Sequence, residues 1–194
     1  MFDVILVRHA ESQPDWTLPL PEWPLSERGR QQADDLVEQL AQLDPDYVFS
    51  SPYPRAIDTV QPFATRHGMS VEVLDDLRER KLSENAISPD DAFLKVMRQS
   101  FEDLDFKLPK GESNRQVASR AFAALERCYD IHGDSRILAS SHGNTITALL
   151  AMLDPSVGYE EWKTLGNPAL RRIVFDGSTW RRLPLDDLDR ISQA

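Results

Sequence analysis

The stretch Val4-Ile5-Leu6-Val7-Arg8-His9-Ala10-Glu11-Ser12 decides how the chain is read. Four apolar residues in a row predict a buried strand. The run ends abruptly in a guanidinium and an imidazole, and polar residues follow. A strand that delivers Arg8 and His9 at its end sets a potential nucleophile beside a fixed positive charge. Arginine offers phosphate oxygens a planar fork of donors. Histidine is an accepted covalent nucleophile. The pairing therefore suits attack on phosphate.

Working outward, Pro14, Trp16, Pro19, Pro21, Trp23 and Pro24 make the next loop too proline-dense for a helix. Ser26 caps an expected helix to about Leu40, with Ala33, Leu36, Val37 and Leu40 on one face. Tyr47-Val48-Phe49 reads as a second strand. Pro54 sits well at the first position of a helix running to about Arg66 and stopped by Gly68, with Pro62 able to kink it. Val71-Glu72-Val73-Leu74 is a third strand, and residues 75–88 read as irregular. Pro89 can open a helix to about Leu104. Ser113 and Gln116 form a capping-box pattern for a long helix to about Ile131, ended by Gly133. Residues 136–140 predict a fourth strand, followed by a helix from about Thr145 to Leu153. Residues 170–175 and 179–183 around Asp176-Gly177 suggest a closing hairpin. The acidic tail, with Asp186, Asp187 and Asp189, is expected to fray.

Strands alternating with helices predict right-handed crossovers and a mainly parallel sheet covered on both faces. The expectation is a three-layer α/β/α sandwich with an antiparallel edge. All 194 residues read as one domain, with 84–110 forming a small helical cap. The formal net charge of −10 argues against a nucleic-acid binder and a basic membrane-surface protein. An anionic substrate then needs a locally cationic pocket. Cys128 is the single cysteine, which excludes an internal disulfide and fits a cytoplasmic location. No signal peptide is expected, and no apolar run approaches the roughly 20 residues of a membrane span.

In open α/β sheets, ligands bind beyond the carboxyl ends of the strands. Arg8 and His9 follow the first strand, Arg55 the second, Arg78 and Glu79 the third, and His142 and Gly143 the fourth. Cations, a nucleophile, a second imidazole and a proton donor are the parts of phosphoryl transfer through a covalent intermediate. Each has a plainer reading alone: Arg8 and Arg55 as solvated strand-end arginines, His142 as a helix cap, Glu79 as half of a surface salt bridge. His67 and His132 precede glycines at helix ends and read as C-terminal caps. Arg171, Arg172, Arg181 and Arg182 read as a charged sheet surface.

The chain resembles the histidine phosphatase superfamily, also called phosphoglycerate mutase-like. Arg8-His9-Ala10-Glu11-Ser12 is similar to the family's Arg-His-Gly signature. The blocks Pro24–Ala33, Ser50–Thr59, Gly111-Glu112-Ser113 and Ser141–Asn144 complete the family's order over residues 3 to about 153. The resemblance implies that His9 attacks phosphorus and becomes phosphohistidine. It implies that Arg8, Arg55 and His142 bind the phosphoryl oxygens, and that Glu79 protonates the leaving oxygen and then activates water. No metal or other cofactor is implied, and the expected partner is a small phosphorylated substrate. A protonated His142 beside Arg8 and Arg55 is expected to act as Mg²⁺ does elsewhere, and the arginines to depress the pKa of His9.

There are departures. Ala10 replaces the usual glycine, and Asp15 stands where many mutases have asparagine. After Glu79 the chain reads Arg80-Lys81-Leu82-Ser83 rather than Arg-His-Tyr-Gly. The last of these, together with a chain shorter than typical mutases, favours a phosphatase over a cofactor-dependent phosphoglycerate mutase. A weakly active phosphoester-binding protein is a third alternative. Ile87, Phe93, Leu94, Met97 and Phe101, and the loop tryptophans Trp16 and Trp23, are either core contacts or an apolar wall for the leaving group.

Overall fold

β1 (Phe2–Arg8) runs through the middle of a six-stranded sheet of order β3-β2-β4-β1-β5-β6. Its neighbours are β4 (Arg136–Ser141), parallel to it, and β5 (Ala169–Phe175), antiparallel to it. β2 (Tyr47–Ser50) and β3 (Val71–Val73) extend the parallel half, and β6 (Trp180–Leu183) forms the antiparallel edge. The computed structural model describes residues 1–15, 17–84 and 91–185. Trp16, Ile87, Pro89, Asp186, Asp187 and Asp189 lie outside the described residues.

The alternation along β1 divides the core. Phe2, Val4 and Leu6 face one side of the sheet, with Phe49, Ile137 and Ala139, against α4 (Asn114–His132) and α5 (Gly143–Leu153). Ile5 and Val7 face the other side, with Val48 and Leu138, against α1 (Glu27–Ala41) and α2 (Pro54–Arg66). A strand buried on both faces reads as an unbroken apolar run, as Val4–Val7 does. The fold is thus a three-layer α/β/α sandwich with a mainly parallel sheet and an antiparallel edge. α3 (Asp91–Glu102) and α6 (Tyr159–Thr164) pack together outside these layers.

The helix boundaries follow local chemistry. Ser26 caps α1 by accepting from Gly29 N, and Ser113 and Gln116 close a reciprocal capping box on α4. Two expectations are corrected. α6 was not expected, because six residues carry too little periodicity to announce a helix. Arg172 is not on a charged surface. It is buried, and it grips Asp3 with Nε–Oδ1 at 2.8 Å and Nη2–Oδ2 at 3.0 Å. Arg136 completes the cluster at 2.9 Å from Asp3. The preceding residue along β5, Arg171, points to the opposite face of the sheet. It pairs with Glu161 of α6.

Candidate active site

The strand order puts the site at the crossover point. β1 and β4 run parallel with Arg8 opposite Ser141, so the next residues, His9 and His142, leave the sheet side by side. Their rings lie 5.1 Å apart, centroid to centroid. β2 ends one place further along, and the turn after it starts α2 with Pro54-Arg55. Arg55 is thereby brought over His9, with its Nε donating to His9 Nε2 at 3.3 Å. The residues expected at separate strand ends, Arg8, His9, Arg55 and Glu79, line one cleft, and His142 sits beneath it against His9.

The tautomer of His9 follows from its partners. Nδ1 lies 2.7 Å from the Ala10 carbonyl, which can only accept, so Nδ1 carries the proton. Nε2 is left with its lone pair, facing Arg55. Burial pushes the pKa of His9 down to about 3, with Arg55 the next cause and Arg8 a smaller one. Depression was expected, but burial rather than the arginines is its main source. The backbone of His9 is pinned from both sides. Its N–H donates to Ser141 O at 3.0 Å, and its carbonyl accepts from Asn167 Nδ2 at 2.8 Å.

His142 corrects an expectation. It holds the N-cap position of α5, yet its side chain caps nothing. Ser51 Oγ accepts from Tyr53 N and lies 2.7 Å from His142 Nε2, the one acceptor its proton reaches among the described residues, so the hydroxyl donates to that nitrogen. Nε2 is then an acceptor, and Nδ1–H is a buried donor with no partner among the described residues. Burial first, and then His9, Arg55, Arg120 and Arg8, hold the pKa of His142 well below its usual value. At neutral pH it is uncharged rather than protonated, and it still presents an N–H.

Arg8 is placed by a glycine. A Cβ on Gly143 would stand 3.0 Å from Arg8 Cζ and 3.1 Å from its Nε, so the guanidinium lies over the bare start of α5. One of its terminal nitrogens donates to the Leu165 carbonyl, and its Nε is buried without a partner among the described residues. Buried donors normally find partners. Arg8 Nε and His142 Nδ1 are thus two buried donors left open beside His9, able to serve as halves of an anion cradle.

Glu79 stands at the N-terminus of α5. Its carboxylate accepts from Asn144 N at 3.2 Å, from Thr145 N and Oγ1 at 3.1 Å each, and from Arg80 N at 2.8 Å. Arg120 holds the segment in place by donating to the Arg78 carbonyl at 3.0 Å and to Glu112 Oε1 at 2.9 Å. Asp15 plays no part in the cradle. Its carboxylate accepts from Thr17 N and Oγ1, which holds it below the usual carboxylate range.

The block at Pro24–Ala33 supports the loop after His9. Gly29 approaches Glu11 so closely that a Cβ would fall 2.0 Å from the Glu11 carbonyl oxygen. Gln32 accepts from Glu11 N at 2.9 Å and donates to Asn167 O at 2.8 Å, which links it to the residue holding His9. Asn167 escaped the sequence reading. The signal was available: β5 is antiparallel to β1, so the residues before β5, not after it, reach the rim.

The cleft measures about 360 Å³. Phe93 and Met97 of α3 line it, as do Trp23, Leu20, Leu82 and Trp162, whereas Leu94 is 40% exposed elsewhere on α3. Phe101 is not among the lining residues.

Fold and cleft together define an α/β protein with a buried imidazole and two guanidiniums gathered at the crossover of a parallel sheet. The chain belongs to the histidine phosphatase superfamily, branch 1, whose profile matches residues 4–187. A probable phosphoglycerate mutase, GpmB, of Shigella dysenteriae is 28% identical over 194 residues, covering 93% of this chain and 88% of its own. A mycobacterial glucosyl-3-phosphoglycerate phosphatase solved with inorganic phosphate superposes with a TM-score of 0.74 at 25% identity, covering 94% of this chain and 95% of its own. A phosphoglycerate mutase from Bacillus anthracis shares the fold with a TM-score of 0.74 at 19% identity, covering 99% of this chain and 96% of its own. Family and neighbours support an enzyme of the phosphoric monoester hydrolase class. None of the described helices is long and apolar enough to cross a membrane.

Proposed function

We propose that the chain is a metal-independent phosphatase that hydrolyses a small phosphomonoester through a phosphohistidine on His9. One observation carries the reading: His9 keeps its lone pair on Nε2, with Arg55 alongside, and its neighbours Arg8 and His142 each hold a buried nitrogen, Nε and Nδ1, without a partner among the described residues. In the first step Nε2 attacks phosphorus and the ester P–O bond breaks. Glu79 gives its proton to the departing alkoxide. In the second step water attacks the phosphohistidine, the P–N bond breaks, Glu79 takes a proton from the water, and inorganic phosphate leaves. Arg8, Arg55 and the N–H of His142 stabilise the charge on the phosphoryl oxygens through both steps. These two guanidiniums supply the positive field that Mg²⁺ supplies in other phosphoryl-transfer sites. The hydrogen bond from His9 Nδ1 to Ala10 keeps Nε2 aimed at phosphorus, and a nitrogen that titrates near 3 is unprotonated at neutral pH.

The named relatives make mutase activity the second reading. It requires the product to be held for rephosphorylation, whereas a phosphatase admits water. Hydrolysis of p-nitrophenyl phosphate with excess EDTA, wild type against His9→Ala, tests the proposal. Activity in the wild type and its loss in the variant are expected. Activity abolished by EDTA, or retained by His9→Ala, refutes it. Rapid formation of 2-phosphoglycerate from 3-phosphoglycerate without phosphate release selects the mutase.

A further inference from the structure

We infer that the alcohol half of the substrate is an apolar, ring-bearing group without a second anionic charge. The inference rests on the phosphatase reading for its chemistry and on the cleft walls for its specificity. Above the cradle the cleft is walled by Leu20 and Trp23 from the proline-rich loop, Leu82 from the segment after Glu79, Phe93 and Met97 from α3, and Trp162 from α6. Four separate segments thus converge on one apolar surface. Phe93 and Trp162 meet edge to face, with centroids 5.9 Å apart at 61°, and Tyr159 packs on Trp162 with centroids 5.6 Å apart, so this part of the wall is built of aromatic rings. A volume of about 360 Å³ falls near the lower end of the roughly 300–1,000 Å³ of small-molecule sites, enough for a phosphoryl group and a compact ring system.

The charge pattern of the described lining residues disfavours a second anion. Among the described lining residues the cations are Arg8, Arg55 and Arg80. Arg8 and Arg55 belong to the phosphoryl cradle. Arg80 is 5% exposed and already engaged through all three nitrogens: Nε with Glu112 O at 2.7 Å, Nη1 with Asn114 Oδ1 at 2.9 Å, and Nη2 with Phe106 O at 3.2 Å. A carboxylate on the alcohol half would meet apolar walls and the neutral Ser12, Asn144 and Asn167, with no uncommitted cation among the described lining residues, in a cleft that already holds Glu11 and Glu79. Desolvating it there without a cationic partner is unfavourable. The same walls gain from covering a ring.

The test uses three primary alkyl phosphates, so that leaving-group acidity varies little: 2-phenylethyl phosphate, glycerol 3-phosphate and 3-phosphoglycerate. Phosphate release is followed with wild type, Trp162→Ala and Phe93→Ala. Calorimetry then measures binding of the same esters to His9→Ala, which reads the walls without the chemistry. The expected order of kcat/KM is 2-phenylethyl phosphate, then glycerol 3-phosphate, then 3-phosphoglycerate. Each wall variant is expected to lower the preference for the phenyl ester over the glycerol ester by about tenfold, the scale of a few lost apolar contacts. That preference is a ratio within one preparation, so it is insensitive to the fraction of a variant that folds. Hydrolysis with 3-phosphoglycerate ranked first, or an unchanged preference in both wall variants, overturns the inference and leaves the phosphatase reading standing. Tightest binding of the phenyl ester to His9→Ala with no hydrolysis by wild type supports the apolar wall and overturns the phosphatase reading.

Discussion

Gly143 offers a sharp separation of activity from stability. A methyl group there would lie 3.0 Å from Arg8 Cζ, 3.1 Å from Nε and 3.2 Å from Nη2. These are closer than ordinary van der Waals contacts, so the guanidinium must give by a few tenths of an ångström. Arg8 is also tied to the Leu165 carbonyl, so it cannot retreat without losing that bond or moving Nε out of line. A hydrogen bond to a charged group contributes about 1.5–3 kcal/mol, so Gly143→Ala is expected to lower kcat/KM about tenfold to hundredfold. Stability should move the other way or stay level, since alanine is the better helix former by up to about 1 kcal/mol. The assay is a double-mutant cycle on p-nitrophenyl phosphate hydrolysis, with melting temperatures alongside. If the glycine acts through Arg8, Gly143→Ala changes kcat/KM by less than about twofold in the Arg8→Ala background. Full additivity of the two losses, or wild-type activity in Gly143→Ala, refutes the reasoning.

Other outcomes follow from the same structure. Asn167→Ala removes the donor to the His9 carbonyl and should lower kcat about tenfold, with a smaller change in KM, because it disturbs aim rather than phosphate binding. Arg172→Met strands Asp3 with only Arg136 and should cost about 3–5 kcal/mol in denaturant unfolding. Asp15→Asn should leave kcat/KM within about twofold, since that carboxylate is satisfied by Thr17. The fourth concerns pH. The folded-state pKa of His9 is about 3 against an ordinary 6.5, and that of His142 is also depressed. Between those values the unfolded chain binds protons that the folded chain refuses, so stability falls as pH drops below 6.5, by up to about 1.4 kcal/mol per pH unit for each histidine. Urea unfolding of wild type and His9→Gln from neutral pH to about pH 5 checks the sign, and the variant should show the shallower slope.

Much of this was legible because the chemistry sits at strand ends. An apolar run closed by Arg8-His9, and a second closed by Ser141-His142, announce both the strands and the side of the sheet that carries the site. Caps at Ser26 and Ser113 and the proline at Pro54 marked the helix starts, because capping is a local hydrogen-bonding event. What escaped depends on neighbours distant in sequence. Arg172 looked like a surface residue because nothing local announces that Asp3 meets it across the β1–β5 pair. Asn167 and Trp162 reach the rim only because the chain doubles back antiparallel after a six-residue helix. The neutral state of His142 follows from its complete burial and the Ser51 hydroxyl, and neither can be read from the motif around it.

The account turns on whether His9 carries the phosphoryl group. The direct measurement is rapid mixing of the enzyme with p-nitrophenyl phosphate in EDTA, a quench under alkaline conditions, and mass spectrometry of the peptide spanning Val4 to Ser12. The account predicts a phosphoryl group on His9 that is acid-labile, forms no more slowly than turnover, and is absent from His9→Ala. Turnover with the phosphoryl group on another residue, or with none detectable while His9→Ala remains active, would contradict it.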